Sequence, residues 1–197
     1  MIGTFLLGSF PTGYLMGRLY GVDVRRWGSG RTGGTNVWRS IGAVPAIVTI
    51  LVDALKAIAA IVLAGILLNT GWAKVLAGTL AILGHIYSPF LGWRGGRGVV
   101  AALAVMAALC FPATAVVLLA GAVVMLAWRY VSLASLTVAA LMPVSLLAYR
   151  LAFGGDIWWP VYGLVAAVII WISHRDNLQR LLNGKERRLG EPVRPAV

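Results

Sequence analysis

The sequence predicts an all-α fold: a bundle of helices crossing a membrane several times, built as a single domain over residues 1–197. Three observations predict it. The chain is 60% hydrophobic and only 12% charged. Several apolar runs approach or exceed the roughly 20 residues a helix needs to cross hydrocarbon. The charge is one-sided, with 17 Lys and Arg against 6 Asp and Glu, a net of +11. In a membrane chain that excess belongs to cytoplasmic loops facing anionic lipid, so no nucleic-acid partner is expected. Cys110 is the single cysteine, which excludes an intramolecular disulfide.

The first apolar segment, about Ile2–Leu19, has no basic stretch ahead of it. It therefore reads as a first span rather than a cleaved signal. Pro11 kinks it without ending it, and Gly13 with Gly17 forms a small face for close packing. A second span covers about Val44–Leu68, with Pro45 in its first turn, where a missing N–H costs little. It contains Asp53 and Lys56 on one helical face. Charges inside a span mark either a functional site or a self-neutralising structural pair, and both readings stay open. A third span, about Trp72–Leu91, carries His85 near its end.

Val99–Trp128 is apolar throughout. As one straight helix it would be about 45 Å long, too long for a single span. With Pro112 near its middle, it is either one kinked helix or a hairpin of two short ones. Spans at about Val131–Tyr149 and Trp159–Ser173 follow, the latter opened by the interfacial pair Trp158 and Trp159. Beyond it, Leu178, Leu181 and Leu182 give a short amphipathic helix that Asn183-Gly184 would end.

Charge chooses between the two counts. With a hairpin there are seven spans, the N-terminus outside and the C-terminus cytoplasmic. Arg18, Arg25, Arg26, Arg31, Arg39, Arg94, Arg97, Arg129 and the tail's Arg175, Arg180, Lys185, Arg187, Arg188 and Arg194 then share the cytoplasmic side. Only Lys74 and Arg150 face the other way. A six-span chain would send Arg129 and the tail outside, against the positive-inside rule.

The seven-span arrangement collects three polar stretches on one face. The first is Gly28-Ser29-Gly30-Arg31-Thr32-Gly33-Gly34-Thr35-Asn36-Val37-Trp38-Arg39. Glycines let successive N–H groups turn toward one point and form an anion nest. Arginine forks match phosphate oxygens. The second, Gly92-Trp93-Arg94-Gly95-Gly96-Arg97-Gly98, repeats that chemistry without being a P-loop. The third runs from Ser173 and His174 through Asn177 and Arg180 to Glu186. Topology asks only for Lys and Arg, so the glycines point to a phosphate cradle. His85 and His174 read either as acid–base groups or as satisfied helix-end histidines. No Ser-His-Asp order or metal-ligand spacing stands out. Such a site suits transfer between activated groups, where positioning and charge stabilisation supply much of the rate.

These stretches, in this order, resemble the bacterial acyl-phosphate:glycerol-3-phosphate acyltransferases, the PlsY family, over nearly the whole chain. Gly8-Ser9-Phe10-Pro11-Thr12-Gly13 is similar to the family's N-terminal helix. Gly28-Ser29-Gly30 with Thr35-Asn36-Val37-Trp38-Arg39 resembles its first motif. Asp53-Ala54-Leu55-Lys56 matches a D-x-x-K element. Gly84-His85 and Gly95-Gly96-Arg97-Gly98 resemble the second motif, and His174, Asn177, Arg180, Gly184 and Glu186 the third. The family usually has Asn at position 31, Ala at 34, Lys at 97 and Arg at 173, where this chain has Arg31, Gly34, Arg97 and Ser173.

The resemblance implies acyl transfer from acyl phosphate to the 1-hydroxyl of glycerol 3-phosphate at the cytoplasmic face of a bacterial inner membrane. It implies a monomer amid membrane lipid, with no metal and no cofactor. Ser29, Arg39, Arg97, His174 and Asn177 would carry the chemistry. Gly28, Gly30, Thr35, Asn36, Lys56, His85, Gly95, Gly96, Gly98, Arg180 and Glu186 would hold substrate phosphate. The rival readings are a transporter or channel for an anionic metabolite, which the absence of any repeat between the halves weakens, and a lipid-binding scaffold, which leaves the glycines unexplained.

Overall fold

The computed structural model describes residues 1–191; residues 192–197, Arg194 among them, lie outside the described part. The described residues form an all-α bundle. In chain order the helices are α1 (Ile2–Gly8), α2 (Thr12–Leu19), α3 (Gly34–Ile41), α4 (Ala43–Leu68), α5 (Gly71–Ile86), α6 (Val99–Leu109), α7 (Phe111–Trp128), α8 (Val131–Phe153), α9 (Trp158–Ser173) and α10 (Arg175–Leu182). Four stretches, Ala43–Leu68, Gly71–Leu91, Phe111–Trp128 and Val131–Phe153, are long and apolar enough to cross a membrane.

The first expected span is two helices. Pro11 precedes α2 and cannot donate the N–H that would continue α1. The break frees two carbonyls, and neighbouring side chains take both. Ser88 Oγ donates to the Ser9 carbonyl at 2.7 Å and Lys56 Nζ to that of Phe10 at 2.8 Å. Broken backbone at membrane depth is tolerated where the protein itself satisfies it in this way.

The long apolar run is likewise divided. Cys110 is extended (φ −153°, ψ 90°) between the 11-residue α6 and the 18-residue α7, and Pro112 falls in the first turn of α7. The two segments take different partners: α6 lies against α4, and α7 against α8. A straight helix is thereby excluded.

Most of the core is small or medium apolar side chains from α4 to α9, with Ile61, Ile82, Met106, Met142, Leu146, Tyr162 and Ile170 at its centre. Lipid is as apolar as leucine, so such helices associate by close packing of small residues rather than by burial from water. Gly163 lies on the backbone at Pro143, inside α8, and Gly121 faces Val138. The Tyr162 hydroxyl finds its partner in the Ala102 carbonyl at 2.7 Å. Ile66, Leu67, Leu126 and Leu151 are exposed, as a lipid-facing surface requires.

Besides the break at Pro11, which ends the first helix instead of kinking it, another element departs from expectation. The second half of the Gly28–Arg39 stretch is helix α3, which carries Arg39 in its last turn. The tail helix α10 lies where the leucine spacing places it, and it ends at Asn183.

Candidate active site

The stretch before α3 is shaped from inside by Asn36. Its side-chain oxygen accepts the Ser29 N–H at 3.0 Å, and its amide hydrogens reach the carbonyls of Val24, Trp27 and Arg31 at 2.8–3.0 Å. Those contacts commit the polar capacity of Asn36 to the loop. The residue was expected to hold phosphate; it lines the cavity, but its bonding scaffolds the loop. Gly28 and Gly30 turn the chain with φ +59° and +67°. Gly13 of α2 lets the loop sit close, since a Cβ there would strike the Thr32 carbonyl.

The second loop folds back on α5. The N–H groups of Gly95 and Gly96 donate to the carbonyls of Ile86 and His85, and Gly96 sits so close to the His85 ring that a Cβ there would strike it. Both glycines therefore place the loop instead of touching the cavity. Gly98 caps α6 at φ +83° and stands against Ile82 and Ile86, a conformation that favours glycine. Arg97, between Gly96 and Gly98, is swung toward the end of α9, where its Nη1 donates to the Ser173 carbonyl.

The third stretch is organised by Glu186, whose carboxylate accepts from Asn177 Nδ2 at 2.7 Å, Arg180 Nε at 2.8 Å and Ser132 Oγ at 2.9 Å. Glu186 is fixed from the far side. Leu189 and Arg129 exchange hydrogen bonds of 2.7 and 3.0 Å that strap the tail to the α7–α8 turn. An acceptor-only carboxylate offers phosphate nothing. Expected among the phosphate ligands, Glu186 instead gathers the surrounding donors.

These pieces enclose one cavity of about 240 Å³. Ser29, Arg31, Thr35, Asn36, Arg39, His85, Arg97, Gly98, His174, Asn177 and Glu186 line it. Its apolar wall is Ile50, Val99, Val100 and Val131. The first turns of α3 and α6 both border it, and neither helix has a side-chain cap. Two positive helix ends thus add to the arginines. Among the described residues, Arg31 and Arg39 have no carboxylate partner.

Burial and neighbouring cations set the charge state. Burial lowers the pKa of Arg39, and Arg187 adds to the effect. Burial, then Arg31, brings Arg97 down to about 10. Both remain cations at neutral pH. Burial and then Arg97 push His174 down to about 4, so its ring is neutral. His174 Nδ1 lies 2.9 Å from the Ile170 carbonyl. A neutral ring there carries its hydrogen on Nδ1 and leaves Nε2 as an acceptor. Asn177 Oδ1 is buried with no hydrogen-bond partner among the described residues. The cavity therefore combines anion-binding donors with the neutral imidazole of His174.

Gly28, Gly30, Gly95, Gly96, Lys56 and Arg180 do not line the cavity. Lys56 was expected to hold phosphate, but it sits behind the cavity, 2.8 Å from Asp53 Oδ1 and bonded to Phe10. Asp53 and His85 border the cavity and also this rear cluster, with His85 Nδ1 3.5 Å from Asp53 Oδ1. Sequence reasoning missed Ser132 and Ser135, two polar residues one turn apart at the start of an apolar span. That spacing was the available signal.

A family model described as glycerol-3-phosphate acyltransferase matches residues 1–184. A glycerol-3-phosphate acyltransferase of Synechococcus sp. (strain CC9902) is 42% identical over 189 residues, covering 95% of this chain and 92% of the relative. One from Symbiobacterium thermophilum is 41% identical over 198 residues, with 97% and 94% covered. The crystal structure of PlsY (YgiH), an integral membrane glycerol 3-phosphate acyltransferase, is similar in its glycerol 3-phosphate form with a TM-score of 0.84 and 35% identity, covering 96% of this chain and 93% of that one. Its lysophosphatidic acid form also gives 0.84, at 34% identity over the same shares. These matches answer the transporter alternative: the chain belongs to the glycerol-3-phosphate acyltransferase family and is an integral membrane enzyme of phospholipid synthesis.

Proposed function

We propose that the cavity transfers a fatty acyl group from acyl phosphate to the 1-hydroxyl of sn-glycerol 3-phosphate. The products are 1-acylglycerol 3-phosphate and inorganic phosphate. One observation carries this reading: Arg31, Arg39 and Arg97 meet two helix N-termini in a cavity that the neutral ring of His174 also lines. Two phosphate groups repel, and forked cations with backbone N–H groups offset that repulsion. The Nε2 of that ring, an acceptor, suits a hydroxyl of a glycerol backbone. The glycerol 3-phosphate and lysophosphatidic acid forms of the similar crystal structures match the acceptor and product of this transfer.

In the proposed step the hydroxyl oxygen forms the ester bond to the acyl carbon. The bond from that carbon to the bridging phosphate oxygen breaks, and phosphate departs with the electron pair. The hydroxyl proton passes to a phosphate oxygen. Arg39 and Arg97, with Ser29 as a neutral donor, stabilise the charge that moves onto the departing phosphate. The acyl chain runs along Ile50, Val99, Val100 and Val131 toward lipid.

In the same reading the single domain spans the bacterial inner membrane seven times as a monomer, with its N-terminus outside and its active site cytoplasmic. The basic residues bordering the cavity support that orientation. The test is purified protein in detergent, given palmitoyl phosphate and glycerol 3-phosphate, with released phosphate and ester product measured. Turnover with palmitoyl phosphate and none with palmitoyl-CoA is expected. Turnover with palmitoyl-CoA alone would overturn the donor assignment. A reporter fused after Val197 should report cytoplasm.

A further inference from the structure

Arg97 and Ser173 hold each other. Arg97 Nη1 donates to the Ser173 carbonyl, and Ser173 Oγ lies 3.0 Å from the Arg97 carbonyl. Residues 76 positions apart are thereby closed into one ring across the cavity wall, from the loop before α6 to the last residue of α9. The Ser173 hydroxyl also lies 2.9 Å from the Ile170 carbonyl and 3.2 Å from His174 Nδ1.

A hydroxyl has one hydrogen and two acceptor lone pairs. The Ile170 carbonyl is already served by His174 Nδ1 at 2.9 Å. The arrangement that satisfies the most groups sends the Ser173 hydrogen to the Arg97 carbonyl. In it, Ser173 Oγ stands beside His174 Nδ1 as a second acceptor, which keeps the ring hydrogen on that nitrogen. Removing the hydroxyl would take this partner from the half-buried Arg97 carbonyl and let the backbone carrying Arg97 relax.

We propose that Ser173 is a positioning residue for the acyl transfer: its hydroxyl fixes where the Arg97 guanidinium meets phosphate and which edge of His174 faces the cavity. The proposal rests on the reading of Arg97 as a phosphate ligand. Arg97 gives one N–H to the Ser173 carbonyl, its Nη2 stands 3.9 Å from Asp176 Oδ2, and the rest of the fork is left for the anion. A permanent planar cation can serve both partners at once, and the Ser173 bond sets its plane.

The test is a double-mutant cycle in the full-length protein in detergent, with wild type, Ser173→Ala, Arg97→Lys and the double variant. Both kcat/KM with palmitoyl phosphate and Kd for glycerol 3-phosphate are measured, so low turnover in one corner still leaves the cycle readable. Ser173→Ala is nearly isosteric and is expected to melt close to wild type. It should lower kcat/KM about tenfold when Arg97 is intact and less than about threefold when Arg97→Lys is already present, since contacting residues couple. Ser173→Thr, which keeps the hydroxyl, should recover most of the loss. Equal losses in the two backgrounds, or a loss matched by a fall in melting temperature, would mean that Ser173 only supports the helix end. Separately, full activity in Arg97→Ala would remove Arg97 from the site and overturn the reading beneath the proposal.

Discussion

Lys56 donates to the carbonyl of Phe10, 46 residues earlier, at 2.8 Å, and in doing so ties α4 to the break between α1 and α2. Its second partner, Asp53, borders the cavity. The pair is thus a brace behind the first loop: Phe10 leads to Pro11 and then Gly13, on which the Thr32 carbonyl rests.

Removing one partner from a buried pair leaves an uncompensated charge, which costs about 3–5 kcal/mol. Lys56→Met should therefore lower the melting temperature on the order of 10 °C. Adding Asp53→Asn should recover part of that loss. For the protein that remains folded, KM for glycerol 3-phosphate should stay within about threefold of wild type, because Lys56 does not reach the cavity. A melting temperature unchanged in Lys56→Met, together with a KM raised a hundredfold, would make Lys56 a substrate ligand.

Asn36→Ala removes a side chain bonded at once to Val24, Trp27, Arg31 and Ser29. Each buried group left unpaired costs about 1–3 kcal/mol. The expected result is loss of both thermal stability and activity. Asn36→Asp should be no better, since a carboxylate accepts but cannot donate to three carbonyls. Proteolysis or melting of the purified variants separates this outcome from a simple binding defect.

Arg39 and Arg97 enter the cavity from different elements, the last turn of α3 and the loop before α6. Either one changed to Ala should lower activity at least about a hundredfold, because truncating a buried charged partner of phosphate costs several kcal/mol. Arg97→Lys should keep more activity than Arg97→Ala, since a point charge still serves phosphate. Steady-state rates on equal amounts of folded protein decide it, and near-normal turnover in both alanine variants would misplace the cradle.

The helical spans were legible because apolar runs of that length have few alternatives in a bilayer. Residues 43–68 and 131–153 lie within a few positions of the expected limits. Helix α3 was hidden because its glycine and polar residues read as loop, while its helical state depends on Gly33 opening it and on packing against α4. Arg39, Arg97, His174 and Asn177, singled out from glycine-flanked or clustered polar residues, all line the cavity. The separation of ligands from scaffolding was not legible. Asn36, Lys56 and Glu186 have the right chemistry for a site, and only their partners reveal that they hold the site together. Ser132 and Ser135 were missed because serines inside a span also bond their own helix, as Ser135 does to the Val131 carbonyl, and only the tail brings Glu186 to Ser132.

The last prediction concerns the proton. Burial and Arg97 hold the His174 pKa at about 4, against a usual value near 6.5. A phosphate monoester titrates at about 6. The acidic limb of the pH–rate profile should therefore fall near pH 6, set by substrate phosphate, with His174 neutral throughout. His174→Gln offers the cavity both a donor and an acceptor, so it should keep measurable activity and leave that limb in place. Stability should respond differently. The unfolded chain takes up the histidine proton first, near pH 6.5, and the folded chain only near pH 4. The stability tied to neutral His174 is thus complete above about pH 6.5 and is lost progressively as the pH falls toward 4. Wild type should lose more melting temperature between pH 7 and pH 4.5 than His174→Gln does. If His174→Gln abolishes turnover while glycerol 3-phosphate still binds, and the acidic limb disappears with it, then His174 is the base and the phosphate is not.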